Sequence, residues 1–194
     1  MSSYLFFDFE TTGIGKFSKQ KPIQLAWLVC NEEMCIQKQE NYYIKGNNEL
    51  NTDFHKNLTL EFLEKNGYEL ELVLTKFLKD IASILNSPEK GFIFAHNISF
   101  DRNILINSFS DCGLSNLFDI SEFDKKSFCT MKFGKDLCKI PVGKIYKYPK
   151  LVELYVFLFD NPPVEVLHEA MGDVIVLFNC VKKLVSLGLL NLKA

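Results

Sequence analysis

Residues 4–13 read YLFFDFETTG, an apolar run that ends in two acids and a polar turn. The run from Tyr4 to Phe9 predicts a central strand that is buried on both faces. Asp8 and Glu10 are two residues apart, so their carboxylates project from the same face of a strand, roughly 7 Å apart along the chain. The turn over residues 11–13 leaves backbone amides free for a ligand. Because charged residues also commonly cap strands, this stretch alone leaves its function open.

The pattern on either side places this strand in a mixed sheet. Apolar and β-branched runs predict further strands at residues 23–30, 37–44, 92–95 and 128–131. Helical spacing of apolar residues predicts helices at residues 57–65, 69–85, 100–109, 151–159 and 173–187. This order indicates an α/β fold with a mixed five-stranded sheet flanked by helices. We expect a single domain over residues 1–194, since no long linker divides the chain.

Composition argues against several classes of protein. A net charge of −2, with Arg102 as the sole arginine, argues against wrapping long duplex DNA through positive charge. The six cysteines form no CxxC pair, which argues against structural zinc and favours a reducing compartment. No apolar run approaches membrane-spanning length and no signal peptide is visible. We therefore expect an intracellular, by default cytoplasmic, protein without a membrane partner.

A second acidic stretch, HNISFD at residues 96–101, follows the predicted strand at 92–95. Asp101 falls in the first turn of the next helix, where the helix dipole stabilises an acid, and Asn97 suits the cap. Open sheets also place ligands beyond the carboxyl ends of their strands, which would put Asp101 beside Asp8 and Glu10. His96 is a candidate substrate contact, although a structural histidine fits the pattern equally well.

The third stretch is HEAMGD at residues 168–173. On one continuous helix, His168 and Asp173 would point about 140° apart, so a single helix face cannot present both. If the helix begins between them, a loop histidine stands beside a fixed carboxylate, which is what a general base for water activation needs. A surface histidine and a capping aspartate remain the simpler interpretation of this pair alone.

Lysines crowd residues 125–150, with Phe128, Phe133, Tyr146 and Tyr148 among them. Charge runs are usually solvated surfaces. Beside a phosphodiester site, however, interleaved lysines and aromatic rings suit single-stranded nucleic acid.

Taken in order, D-x-E-T-T-G, H-N-x-x-F-D and H-x-x-x-x-D resemble the three motifs of the DEDDh (DnaQ-like) 3′→5′ exonucleases. The resemblance spans nearly the whole chain. It implies a ribonuclease H-like fold and the release of nucleoside 5′-monophosphates from the 3′ ends of single-stranded DNA or RNA. It also implies two Mg²⁺ ions, which Mn²⁺ can replace, with carboxylate ligands.

The resemblance implies a role for each motif residue. Asp8, Glu10 and Asp173 would hold the metal that activates water, Asp8 would also bind the second metal, and Asp101 would support it. His168 would deprotonate the attacking water. Substrate contacts would come from the residues around the first two motifs, namely Thr11, Thr12, Ile14, His96, Asn97 and Phe100.

Two other functions stay open at this point. A degenerate relative could bind nucleic acid or a polymerase without cutting, although loss of activity should erode the carboxylates and none is missing. A ribonuclease H-like endonuclease would share the clustered acids without requiring the arrangement of His168 and Asp173. The preference for DNA or RNA, a homodimer and a polymerase partner are likewise undecided.

Overall fold

The computed structural model describes residues 3–13, 20–51, 55, 58–86, 91–165 and 168–192. Its strands are β1 (Ser3–Thr11), β2 (Pro22–Asn31), β3 (Ile36–Tyr43), β4 (Phe92–Ala95), β5 (Ser127–Cys129), β6 (Pro141–Val142) and β7 (Ile145–Tyr146). Its α-helices are α1 (Leu60–Asn66), α2 (Leu70–Leu85), α3 (Ile98–Asp111), α4 (Ile120–Lys126), α5 (Thr130–Cys138), α6 (Leu151–Phe159) and α7 (Ala170–Ser186).

Five strands form one sheet in the order β3-β2-β1-β4-β5, with β1 at its centre. β1 and β3 both run antiparallel to β2, whereas β4 is parallel to β1 and β5 is parallel to β4. The predicted mixed five-stranded sheet is therefore confirmed. Among the residues that the structure describes, β6 and β7 pair only with each other and form a separate hairpin.

Alternate side chains of β1 enter two different cores, because successive residues of a strand point to opposite faces. Leu5, Phe7 and Phe9 pack against α2 and α3. Tyr4 and Phe6 face α7 on the other side of the sheet. Both faces of β1 are therefore covered, as its unbroken apolar run predicts.

The predicted strand at residues 128–131 is wrong at its C-terminal end. β5 stops at Cys129, and Thr130 begins α5. The buried Thr130 hydroxyl lies 3.4 Å from the carbonyl oxygen of Ala95 at the end of β4. Phe133 and Leu137 of α5 pack against α6. This tertiary packing favours a helix here, although the short apolar run alone favours a strand.

None of the helices within the described part of the chain is long and apolar enough to cross a membrane.

Candidate active site

Three carboxylates converge at the C-terminal end of β1. Asp8 and Glu10 come from β1 and Asp173 from the first turn of α7, and one ligand oxygen from each lies within 4.8 Å of the others. All three side chains are half-buried. The even-numbered residues of β1 face α7, and this alternation brings the first and third motifs together.

Asp101 completes the group from the first turn of α3. It is 1% exposed, and its Oδ1 accepts a hydrogen bond from the backbone N–H of Phe9 at 3.2 Å. This bond joins the start of α3 to the residue between Asp8 and Glu10. The structure thus gathers all four predicted acids at one edge of the sheet.

Burial and mutual repulsion oppose ionisation of these carboxyl groups. Burial raises the pKa of Asp8 well above its usual range, and the neighbouring charges of Asp101, Asp173 and Glu10 add to the effect. The pKa of Glu10 is raised to about 7, chiefly by burial and then by Asp173. Burial raises the pKa of Asp101 to about 8, although its hydrogen bond from Phe9 acts in the opposite direction. A divalent cation would offset these costs, since it favours the ionised form of every acid around it.

The chemistry of the donors fits a hard cation. Every ligand that Asp8, Glu10 and Asp173 supply is a carboxylate oxygen, the donor that Mg²⁺ and Mn²⁺ prefer. These three residues would hold the ion, and Asp101 lies behind them with one oxygen fixed by Phe9.

α7 begins at Ala170, so the helix starts between His168 and Asp173, as their spacing required. His168 is exposed and has a left-handed backbone with φ of 64°. Burial raises the pKa of Asp173 to about 6, and the nearby charge of His168 and a hydrogen bond from its backbone limit that rise. The histidine therefore lies beside the third carboxylate, in the turn that precedes the helix.

Sequence reasoning missed the residues that hold α7 in place. Glu169 caps the helix by accepting a hydrogen bond from Gly172 N at 3.0 Å. Its other oxygen accepts from Gln24 Nε2 at 2.6 Å and from Asn41 Nδ2 at 2.9 Å. Gln24 Oε1 in turn accepts from Ala170 N at 3.3 Å. The polar Gln24 in the otherwise apolar run of β2 was the one signal of this brace between β2, β3 and α7.

Thr11 and Thr12, two predicted substrate contacts of the first motif, lie at the end of β1 and directly after it, and both are held by hydrogen bonds. The Thr11 hydroxyl is 2.6 Å from Gln20 Oε1, and the Thr11 carbonyl accepts a hydrogen bond from His55 Nε2 at 2.7 Å. Thr12 N donates to Lys21 O at 2.8 Å. Ile14 lies outside the described residues. Contact of these residues with a substrate stays a prediction.

His96 uses both ring nitrogens within the protein. Nε2 donates to the carbonyl oxygen of Pro149 at 3.0 Å, and Nδ1 lies 3.0 Å from the Thr130 hydroxyl. Burial lowers the pKa of His96 to about 4, so the neutral ring accepts from Thr130 through Nδ1. His96 thus fastens α5 and the segment before α6 to the end of β4, and a direct bond from either nitrogen to substrate would break one of these contacts.

The two other predicted contacts of the second motif flank the start of α3. Asn97 is exposed and takes a left-handed backbone conformation with φ of 66°, and Phe100 is half-buried. Their contact with substrate also stays a prediction.

Comparison with known proteins gives a structural likeness without a sequence match. No protein-family model and no curated protein matches the chain. A solved structure of exonuclease I superposes with a TM-score of 0.71 at 19% identity, covering 96% of this chain and 41% of that one. This chain has the fold of part of exonuclease I. The expected ribonuclease H-like fold is thereby confirmed.

Two further structures of Escherichia coli exonuclease I agree with this comparison. The complex with a dA16 oligonucleotide gives a TM-score of 0.70 at 18% identity, covering 96% of this chain and 41% of that one. The zinc-bound complex with single-stranded DNA gives 0.68 at 20% identity, with the same coverage of both chains. The chain therefore spans about two fifths of the length of exonuclease I.

Proposed function

We propose that this protein is a metal-dependent 3′→5′ exonuclease of the DEDDh type that removes nucleoside 5′-monophosphates from single-stranded nucleic acid. The observation that carries the proposal is the convergence of Asp8, Glu10 and Asp173, with ligand oxygens within 4.8 Å of one another. These acids come from the first and third motifs, which lie at opposite ends of the chain. Buried Asp101 of the second motif stands behind them.

The carboxylates position the reaction. Asp8, Glu10 and Asp173 would hold one Mg²⁺, with Asp8 shared and Asp101 in support of a second. When bound, a pair of such ions stabilises the charge on the attacking and leaving oxygens of a phosphodiester. The hydrogen bonds of Glu169 and Gln24 fix the start of α7, so that Asp173 does not drift from the β1 acids.

His168 would accept the proton of the attacking water. The His168 side chain is exposed, so the ring can pass the accepted proton on to solvent. Glu169 caps the neighbouring helix and holds its first turn in place. A general base must lie within hydrogen-bond reach of the proton that it accepts, and His168 would meet this requirement from the turn beside Asp173.

We infer that the substrate is a single strand. The likeness to exonuclease I in complex with oligonucleotides supports this choice, and so do the lysines and aromatic residues between the second and third motifs. Residues 11–13 directly follow Glu10, where they would meet the terminal nucleotide. A homodimer and a polymerase partner are undecided; light scattering of the purified protein checks the first, and co-purification with a polymerase checks the second.

The proposal is tested with 5′-labelled single-stranded DNA and RNA of equal sequence, incubated with Mg²⁺ or with chelator. A ladder that shortens by one nucleotide from the 3′ end, and only with Mg²⁺, supports the exonuclease. Internal fragments from the first time point would indicate an endonuclease, and retained binding without any cleavage would indicate a binding module. Asp173→Asn should lose most of this activity, and Glu61→Gln is its control, because this acid is exposed on α1.

A further inference from the structure

The β6–β7 hairpin exposes three large apolar side chains close to one another in sequence. Val142, Ile145 and Tyr146 are 52%, 69% and 45% exposed, and Lys144 is exposed between them. We call these four residues the hairpin tip. A hairpin with two residues in each strand has little stability of its own, and clustered exposed apolar side chains often mark a binding surface.

The hairpin lies in the most basic segment of the chain. Residues 132–150 contain six lysines and a single acid, Asp136, whereas the whole chain has a net charge of −2. The exposed lysines among the six are Lys132, Lys139, Lys144 and Lys150. Positive charge is therefore concentrated here on a protein that is otherwise acidic, which favours an anionic partner.

The base of the hairpin is held firmly. Lys147 N donates to Ile140 O at 3.0 Å, and the Lys147 ammonium pairs with Glu153 of α6. A Cβ added at Gly134 would lie 2.9 Å from Pro149 Cγ. α5 therefore approaches Pro149, near the end of this basic segment, too closely for position 134 to carry a side chain. The tip is thus an exposed projection on a fixed support.

The same base is joined to the acidic site. Pro149 O accepts the hydrogen bond of His96 Nε2 at 3.0 Å. His96 immediately follows β4 and precedes α3, the helix that carries Asp101. Since β4 is parallel to β1, the C-terminal ends of both strands lie at one edge of the sheet. The hairpin therefore stands on the side of the molecule where the carboxylates gather.

We propose that the hairpin tip is an accessory binding surface for single-stranded nucleic acid, holding nucleotides upstream of the 3′ end that occupies the acidic site. Lys144 contributes charge toward the phosphates, and the Tyr146 ring with the flanking aliphatic side chains offers a sequence-tolerant surface for bases. This inference rests on the proposed exonuclease function. It predicts a preference for long strands over short ones.

The test compares Lys144→Ala/Ile145→Ala with a matched control, Leu72→Ala/Lys79→Ala, which removes an exposed aliphatic residue and an exposed lysine from α2. Binding of a fluorescent 20-nucleotide single strand is measured by anisotropy in chelator, so that nothing is cleaved. The hairpin variant should bind about tenfold more weakly, and the slope of log K against log salt should flatten by about 0.7 for the lost lysine. The control should match the wild type in both.

The second readout is the ratio of kcat/KM for the 20-mer to that for a trinucleotide, which should fall about tenfold in the hairpin variant alone. The proposal is overturned if the hairpin variant binds the 20-mer with unchanged affinity and salt slope. It is also overturned if this variant changes its oligomeric state while its affinity for the 20-mer stays the same, because the tip would then be a protein interface. A wild type that binds the 20-mer through the tip but cleaves nothing would instead refute the exonuclease function. Equal melting temperatures of both variants exclude misfolding.

Discussion

Replacing Glu10 by glutamine should stabilise the metal-free protein at pH 8 and change little at pH 5. Burial, with the charges of Asp173 and Glu169, raises the pKa of Glu10 from 4.5 to about 7. The folded state therefore favours the protonated acid. The associated stability is fully present below pH 4.5 and is lost as the pH rises through about 7, because the unfolded chain ionises first.

The size of the effect follows from the pKa shift. At 1.36 kcal/mol per pKa unit, the shift of Glu10 corresponds to about 3 kcal/mol at pH 8. Glutamine has nearly the same shape and cannot ionise, so Glu10→Gln should recover up to this amount in the free energy of unfolding. Solvent around the half-buried side chain reduces the gain.

Urea unfolding in chelator measures this directly. Trp27 is the single tryptophan and is fully buried, so its fluorescence reports on the sheet. Glu61→Gln, on the surface of α1, should leave the free energy of unfolding unchanged at both pH values. Adding Mg²⁺ at pH 8 should stabilise the wild type more than Glu10→Gln, since the variant has lost a ligand.

Two results would refute the reasoning. One is a difference in unfolding free energy between wild type and Glu10→Gln that is the same at pH 5 and pH 8. The other is a wild type whose stability at pH 8 does not respond to Mg²⁺, because the carboxylates would then not form a cation site.

Two further predictions concern residues around the carboxylates. His168→Asn should lower kcat by about 10²–10⁴-fold, as expected for loss of a general base, while Mg²⁺ still raises the melting temperature; a kcat within threefold of the wild type would exclude that role. Gln24→Leu removes the bonds to Glu169 and to Ala170 N, so Mg²⁺ affinity should fall about 10–100-fold with the fold retained. An unchanged Mg²⁺ titration would show that the brace does not position Asp173.

The site residues that could be predicted from sequence are those governed by local geometry. The two-residue period of β1 places Asp8 and Glu10 on one face. The spacing of His168 and Asp173 requires a helix start between them, and α7 begins there. The order of the motifs and their resemblance to the DEDDh family predict Asp101, although its contact with Phe9 of β1 spans 92 positions.

Contacts between residues far apart in sequence could not be predicted from local patterns. Gln24 and Glu169 are 145 positions apart, and no local pattern pairs them. The two ring nitrogens of His96 form hydrogen bonds with Thr130 and Pro149. Its role as an anchor therefore depends on where α5 and the hairpin lie. The sequence predicts surface loops with one short helix over residues 119–150, whereas two helices, α4 and α5, and the β6–β7 hairpin lie there. Tertiary packing outweighs the propensity of so few residues.

The rate of mononucleotide release from single-stranded DNA with Mg²⁺, in the wild type and in Asp173→Asn, tests the central claim most directly. Asparagine keeps the shape of the side chain and removes one anionic ligand. Metal stabilisation of the transition state is worth several kcal/mol, so the account predicts a rate lower by roughly 10³-fold in the variant, at 1.36 kcal/mol per factor of ten. An Asp173→Asn rate within tenfold of the wild type, with the same products, would contradict it.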